Sequence, residues 1–216
     1  MDHATARTPT RLDAYLGERF WAEDDVLRRL VEDLRVRGPQ IHVGPEQGRA
    51  LSVLVAASGA RRVLELGTLF GYSAIWIARA LPPDGHLDTV EIDPMHADAA
   101  EHWVTEAGLA SRVTVHRGAA LEVARSLAGP YDAVFMDAVK TEYPAYLDEA
   151  LRLVRPRGLV LADNVHRGGA VADPEARDEG AEAIREYLRR CATDPRLLST
   201  VLDAGDGLAV SVVRGA

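Results

Sequence analysis

Residues 62–73 read RVLELGTLFGYS and decide the fold. Residues 62–66 are apolar apart from Arg62 and Glu65, which fits a short buried strand. Gly67 and Gly71 allow a sharp turn and a close approach of a ligand to the backbone, and residues 72–80 then fit an apolar helix. A strand, a glycine-bearing turn and a helix in this order predict the first unit of an α/β fold.

The alternation of strands and helices continues along the chain. Short apolar runs predict further strands at 86–92, 113–116, 131–136 and 159–162, and helical spacing predicts helices at 97–107, 119–127, 143–154 and 175–191. Two final strands, 198–202 and 208–213, are joined around Asp206-Gly207, a dipeptide typical of hairpins. We therefore predict an α/β fold with a doubly wound, Rossmann-like parallel sheet and an antiparallel C-terminal edge hairpin, and ligands at the carboxyl ends of its strands.

The chain ahead of this sheet is helical in pattern. Apolar residues at spacings of three and four predict a helix over 11–37, ended by Gly38-Pro39, and a second helix over 47–57. We predict a single domain over 1–216, in which 41–216 form the core. The segment 1–40 is expected to contribute to the acceptor site and to a dimer interface, because it carries more apolar surface than one cap needs.

Composition excludes several classes of protein. Lys and Arg number 25 against 33 Asp and Glu, and the net charge of −8 disfavours a broad contact with nucleic acid. The one cysteine, Cys191, cannot form an internal disulfide. The longest apolar run, 51–60, is shorter than a membrane span, and the first ten residues lack the apolar core of a secretory signal. We therefore expect a cytoplasmic protein without a membrane partner.

Acidic residues at the first two strand ends point to a nucleoside ligand. Glu91, followed by Ile92, ends the second strand, where a carboxylate can accept hydrogen bonds from ribose hydroxyls; a plain helix cap is the alternative. The turn lacks the G-x-G-x-x-G pattern of dinucleotide sites, which disfavours a dehydrogenase. Glu65 would repel a pyrophosphate but could hold the charged amino group of S-adenosylmethionine, so this sulfonium is the predicted cofactor.

The fourth and fifth strands end in oxygen-bearing side chains. Asp137 follows the fourth strand, and Asp163 and Asn164 follow the fifth. Two carboxylates and an amide suit Mg²⁺, or Ca²⁺ or Mn²⁺, and leave room for two adjacent oxygens of an acceptor. Lys140 lies three residues after Asp137, and a cation beside it favours the neutral amine of a general base. Alternatively, the two acids cap helices and Lys140 is a surface charge.

Residues 63–68, with Gly71-Tyr72-Ser73, resemble the first motif of the cation-dependent O-methyltransferases. That family includes catechol and caffeoyl-coenzyme A O-methyltransferases and bacterial natural-product enzymes, and the resemblance runs from Ile41 to the C-terminus. It implies a homodimer, a catalytic pair of Lys140 and Asp137, and metal ligands at Asp137, Asp163 and Asn164. It implies cofactor contacts at Val43, Glu65, Gly67, Thr68, Tyr72, Ser73, Glu91, Ile92, Ala120 and Asp137.

The chain departs from the animal catechol enzymes in two places. They have His-Trp where Ala138-Val139 stand here, and their catechol-orienting carboxylate has no match among Ser199, Thr200 and Val201. We predict methyl transfer to a hydroxyl of a small catechol-like acceptor, with its identity set by residues 11–39 and 165–179. A tRNA hydroxyuridine O-methyltransferase is the alternative, which the net charge of −8 disfavours.

Overall fold

The computed structural model describes residues 10–215, whose centre is a seven-stranded sheet. The strands lie in the order β3-β2-β1-β4-β5-β7-β6, with β1 to β5 parallel and the last two antiparallel. The predicted doubly wound sheet with an antiparallel C-terminal edge is confirmed. Their bounds are β1 (Arg62–Leu66), β2 (His86–Glu91), β3 (Val113–Arg117), β4 (Tyr131–Met136), β5 (Val154–Ala162), β6 (Leu197–Leu202) and β7 (Leu208–Val213).

Helices cover both faces of the sheet. Successive strand residues point to opposite faces, so Val63 of β1 joins one apolar cluster and Leu64 the other. Helices α2 to α5 pack in the first cluster and α6 to α8 in the second. The helices are α1 (Arg11–Phe20), α2 (Asp25–Arg37), α3 (Pro45–Ala57), α4 (Tyr72–Ala80), α5 (Pro94–Glu106), α6 (Ala120–Ser126), α7 (Tyr143–Leu153) and α8 (Glu179–Thr193).

The strand order brings the predicted site residues to one edge. Strand β1 lies between β2 and β4, and β4 pairs with β5, so the carboxyl ends of these four strands are neighbours. Gly67 has φ +100°, and a Cβ there would collide with the carbonyl oxygen of Asp137. The turn after β1 therefore packs directly on the end of β4, which only glycine allows.

The single N-terminal helix predicted over 11–37 is wrong, because the structure contains two. Helix α1 ends at Phe20, and the side chain of Asp24 accepts a hydrogen bond from the backbone N–H of Leu27 at 3.0 Å. This N-cap starts α2 as a new helix. An equivalent cap at Asp178 delays the start of α8 from the predicted residue 175 to Glu179.

Strand β5 begins earlier than predicted. The preceding helix was predicted to run to residue 154 and the strand to begin at residue 159, but residues 155–158 lie within Val154–Ala162. The pairing register with β4 shifts here, since Tyr131 faces Val154 whereas Ala133 faces Leu159. The extra residues bulge out of the ladder, so proline and glycine are tolerated inside a strand.

None of the helices described in the structure is long and apolar enough to cross a membrane.

Candidate active site

Glu65 lies near the carboxyl end of β1, at the edge formed by the strand ends. Its side chain is fully buried at the end of β1, and Oε2 accepts a hydrogen bond from Thr89 Oγ1 at 2.6 Å. Thr89 Oγ1 also contacts Thr68 Oγ1 at 2.6 Å. Within residues 10–215, Oε1 of Glu65 finds no hydrogen-bond partner. Burial raises the pKa of Glu65 to about 7, although the nearby hydroxyl groups of Ser73 and Thr89 lower it.

Glu91 holds the turn beside it. One carboxylate oxygen accepts the backbone N–H of Leu69 at 2.8 Å and the other that of Asp93 at 2.9 Å. Leu69 has φ +52°, so this hydrogen bond stabilises a backbone conformation that is rare for leucine. The helix cap that we considered for Glu91 is instead Asp93, which accepts the first N–H groups of α5. Each oxygen of Glu91 keeps a second lone pair for a ligand hydroxyl.

The other predicted cofactor residues lie on several elements. Val43 is buried just before α3, and Ala120 is the first residue of α6. Ser73 lies in the first turn of α4 without capping it, whereas Ile92 is 69% exposed. The hydroxyl of Tyr72 is directed away from the turn.

Tyr72 connects the glycine turn to the N-terminal segment. Its hydroxyl donates a hydrogen bond to Glu23 Oε1 at 2.7 Å, and its ring stacks edge-on against His42 at 5.1 Å. Burial lowers the pKa of His42. A neutral ring in this apolar setting packs without a charge cost.

Asp137 and Lys140 form an ion pair at the end of β4. Lys140 Nζ lies 2.6 Å from Asp137 Oδ1 and donates a second hydrogen bond to Tyr143 Oη at 2.9 Å. Burial raises the pKa of Asp137, and the charge of Lys140 opposes this shift. The fully buried Tyr143 hydroxyl in turn lies within hydrogen-bond distance of the backbone oxygens of Met136 and Asp163, at 3.1 and 3.0 Å, and its one proton can be donated to either. Lys140 is therefore held by residues of β4 and α7.

Asp163 is almost fully buried at the end of β5. Its Oδ1 accepts hydrogen bonds from Gln47 Nε2 and from the backbone N–H of Asn164, the latter at 2.5 Å. Burial and the neighbouring charge of Asp137 raise the pKa of Asp163 to about 7. Asn164 has φ +56°, a conformation that asparagine tolerates better than most residues. The two predicted acids thus lie close enough to repel one another.

This arrangement fits a divalent cation. Asp163 is buried and the charge of Asp137 raises its pKa, so positive charge beside the two carboxylates stabilises them, and Lys140 supplies part of it. No group of three or more His, Cys, Asp or Glu among the residues placed by the structure could hold a metal. The predicted set of Asp137, Asp163 and Asn164 is of another kind, because it has two acids and an amide.

The same edge fits a ligand with a positively charged amino group. Oε1 of Glu65 is a buried acceptor without a partner among the described residues, and such an acceptor is costly unless a donor binds it. A cation there would also favour the ionised carboxylate.

Comparison with known proteins agrees with this geometry. The O-methyltransferase family matches residues 18–214. The chain belongs to the O-methyltransferase family. A catechol O-methyltransferase of Niastella koreensis is 38% identical to this O-methyltransferase, over 94% of this chain and 96% of the relative. One of Mycobacterium tuberculosis is 39% identical, over 95% and 96%.

Solved structures of O-methyltransferases share the fold. TomG of Streptomyces achromogenes, which is involved in tomaymycin synthesis and was solved with S-adenosylmethionine, has a TM-score of 0.89 at 37% identity, covering 94% of this chain and 96% of TomG. The Bacillus cereus O-methyltransferase, solved with S-adenosylhomocysteine, has a TM-score of 0.89 at 36% identity, covering 95% and 98%. The resemblance inferred from the first motif is confirmed.

Three residues of this O-methyltransferase site were missed by sequence reasoning. Tyr143 lies three positions after Lys140, a spacing that brings side chains together on a helical turn and could have indicated it. Thr89 precedes Glu91 by two on β2, so its side chain points to the same face. Gln47 contacts a residue 116 positions away, and no local pattern indicates that contact.

Proposed function

We propose that this O-methyltransferase takes its methyl group from S-adenosylmethionine and transfers it to one hydroxyl of a small catechol-like acceptor. The observation that carries the proposal is Lys140 Nζ, 2.6 Å from Asp137 Oδ1 and beside the buried Asp163. Two catechol O-methyltransferases at 38% and 39% identity support the acceptor class. The relatives solved with S-adenosylmethionine and S-adenosylhomocysteine support the donor.

The donor would be held by the ends of β1 and β2. The unpartnered Oε1 of Glu65 would accept a hydrogen bond from the amino group of the methionine part. Glu91 would accept the ribose hydroxyls while it keeps the backbone of Leu69 in place. Val43 and Ala120 would contact the methionine and adenine ends by similarity to the family. Gly67, Thr68, Tyr72, Ser73, Ile92 and Asp137 complete the proposed set.

Asp137, Asp163 and Asn164 would hold a divalent cation, with Mg²⁺ the first choice for an all-oxygen set and Ca²⁺ or Mn²⁺ as alternatives. Such a cation supplies positive charge that orients two adjacent acceptor oxygens and favours loss of a proton from one of them. The burial of Asp163 and the low exposure of the Asp137 side chain, 16%, make that charge effective, because little water screens it.

Lys140 would act as the general base. Its amine would take the proton of the acceptor hydroxyl, and the oxygen would form a bond to the methyl carbon as the methyl–sulfur bond breaks. The ion pair with Asp137 and the hydrogen bond to Tyr143 keep the amine at the cofactor edge, so orientation contributes much of the rate.

Removal of metal tests this proposal directly. We expect chelation to abolish turnover of a simple catechol and added Mg²⁺ to restore it, because Asp163 has no other proposed chemical role. Asp163→Ala should lose turnover while it keeps binding S-adenosylhomocysteine in calorimetry. Full activity of a chelated enzyme with verified metal removal would contradict the cation site.

The acceptor class has its own test. A catechol offers two adjacent oxygens, whereas the matching monophenol offers one and loses the orientation that the proposed site provides. We expect kcat/KM to be at least about ten-fold higher for the catechol with the same metal. Equal values would exclude selection by adjacent oxygens. A hydroxylated natural-product precursor is the natural acceptor that we propose, on the strength of the resemblance and the tomaymycin relative.

A further inference from the structure

Gln47 links a helix outside the sheet to the proposed cation site. It lies in the first turns of α3, is 2% exposed, and donates a hydrogen bond through Nε2 to Oδ1 of Asp163. The two residues are 116 positions apart in the chain. The buried amide thus reaches the end of β5 from a different element.

Close packing keeps Gln47 in this position from two sides. A Cβ at the next residue, Gly48, would lie 2.5 Å from Cδ1 of Trp76, so α3 packs tightly on α4. A Cβ at Gly205, in the connection between β6 and β7, would collide with Oε1 of Gln47. The amide is therefore enclosed by a helix and by backbone, with little freedom to turn away from Asp163.

We propose that Gln47 is a positioning residue for Asp163, and that the backbone at Gly205 keeps Gln47 in place. The inference rests on the proposed cation site. Gln47 and the N–H of Asn164 both donate to Oδ1, which fixes the carboxylate and assigns Oδ2 to the cation. Hydrogen-bonded partners of metal ligands orient those ligands and raise metal affinity.

An amide suits this position better than an acid. Gln47 donates a hydrogen bond without adding negative charge to Asp137 and Asp163, whose carboxylates already repel one another. A glutamate of the same shape would place a carboxylate oxygen, which accepts hydrogen bonds, against Oδ1 of Asp163, which also accepts them. The residue type is therefore explained by the charge of the site and not by helix packing alone.

Binding of Mn²⁺ to the whole protein, measured by electron paramagnetic resonance, tests the proposal without turnover. We expect Gln47→Leu to weaken Mn²⁺ binding by roughly 10- to 100-fold, as is usual for partners of metal ligands. Ser52→Ala is the matched control, because Ser52 lies on the same helix and donates to the backbone oxygens of Gly48 and Trp76. Its Mn²⁺ affinity should equal that of the wild type.

A second variant perturbs Gln47 without replacing either Gln47 or Asp163. Gly205→Ala would press on the amide, and we expect a weaker but clear loss of Mn²⁺ affinity. Gly59→Ala controls for backbone strain, because Gly59 has φ +66° against +58° at Gly205, and its Cβ would meet nothing within 4 Å. If Gln47→Leu does not fold in a thermal unfolding assay, the Gly205 and Gly59 pair decides.

The outcomes separate this inference from the proposed function. Tight Mn²⁺ binding by the wild type, with unchanged affinity in folded Gln47→Leu or, should that variant not fold, in Gly205→Ala, would overturn the positioning role alone. Failure of the wild type to bind Mn²⁺ would contradict the cation site and the inference with it. Loss of affinity in Gln47→Leu and Gly205→Ala, beside normal binding in both controls, is the expected result.

Discussion

At the scale of single residues, Glu65 is the buried acid that a positively charged ligand would stabilise most. Its pKa of about 7, raised by burial, means that the ligand-free site holds a proton for part of the time at neutral pH. A bound ammonium group reverses this effect by favouring the carboxylate. In the proposed site, Glu65 would couple cofactor binding to pH.

We predict that Glu65→Gln weakens binding of S-adenosylhomocysteine by about ten-fold or more, because a charged hydrogen bond contributes roughly 1.5–3 kcal/mol. In calorimetry the wild-type affinity should rise between pH 6 and 8, as the carboxylate ionises, and the affinity of the variant should change little. Equal affinities and parallel pH profiles would remove Glu65 from the site.

The same shift has the opposite consequence for the ligand-free protein. Between the ordinary pKa of 4.5 and about 7, the folded state keeps a proton that the unfolded chain releases. The free energy of unfolding therefore falls as pH rises through this window, by about 3 kcal/mol at most. Denaturant unfolding should show a flatter pH dependence for Glu65→Gln than for the wild type.

Tyr143 carries a second prediction at this scale. Burial raises the pKa of Tyr143 well above its usual range, so the hydroxyl stays neutral and accepts from Lys140 Nζ at 2.9 Å. We expect Tyr143→Phe to lower kcat about ten-fold at constant KM, since the amine loses a partner that orients it. Tyr146→Phe is the control, because Tyr146, on the same helix, donates instead to Glu142 at 2.6 Å. Equal kcat values would show that the hydroxyl serves packing alone.

At the scale of elements, three parallel strands are joined by a buried polar cluster. Asp88 of β2 accepts hydrogen bonds from His116 of β3 and Tyr131 of β4, both at 2.8 Å. Burial alone would raise the pKa of Asp88, but these two hydrogen bonds, together with the charges of His116 and His86, outweigh it and hold the pKa below its usual value. His116 therefore contributes to the structure of the sheet.

We predict that Asp88→Asn lowers the free energy of unfolding by about 1–3 kcal/mol at pH 7. A lowered carboxylate pKa stabilises the fold above the unfolded value of about 3.9, and this contribution is lost as pH falls through the folded pKa. The difference between the two proteins should therefore shrink below about pH 4. Asp98→Asn is the control, since the side chain of Asp98 is 71% exposed and its ion pair with Arg117 contributes little. A deficit independent of pH would contradict the assignment.

At the scale of the whole molecule, α1 presents apolar side chains that the described chain does not cover. Leu12, Tyr15 and Phe20 are 62%, 54% and 58% exposed. Arg49 of α3 ties the end of α1 to the core through the backbone oxygen of Phe20, at 2.8 Å. The helix is thus held against the core while its apolar face is exposed, and such a face suits contact with a second copy of the chain.

We predict a homodimer, with light scattering giving about twice the chain mass of 23.4 kDa at micromolar concentration. Replacing Leu12 and Phe20 by aspartate should shift the protein towards one chain mass, because burying two charges opposes association. Val36→Asp, at an exposed apolar residue of α2, is the control and should stay dimeric. A wild type of one chain mass would contradict the prediction.

The sequence by itself determined the sheet and the ends of its strands. The α/β alternation, the hairpin around Asp206-Gly207 and the glycine turn after β1 all follow from patterns within about ten residues of one another. Because parallel strands end at a common edge, the neighbourhood of Asp137 and Asp163 could be predicted as well. Local patterns are sufficient to predict which residues are neighbours wherever the fold class determines which strands and helices lie side by side.

Tertiary structure alone decided how those side chains are held. Contact between Gln47 and Asp163 depends on the distance between α3 and β5, which no spacing in the sequence encodes. Strand β5 runs through the proline and glycine of 155–158 because pairing with β4 resumes at Leu159. The free energy of these contacts comes from packing distant elements at one register, and periodicity carries information only about neighbours along the chain.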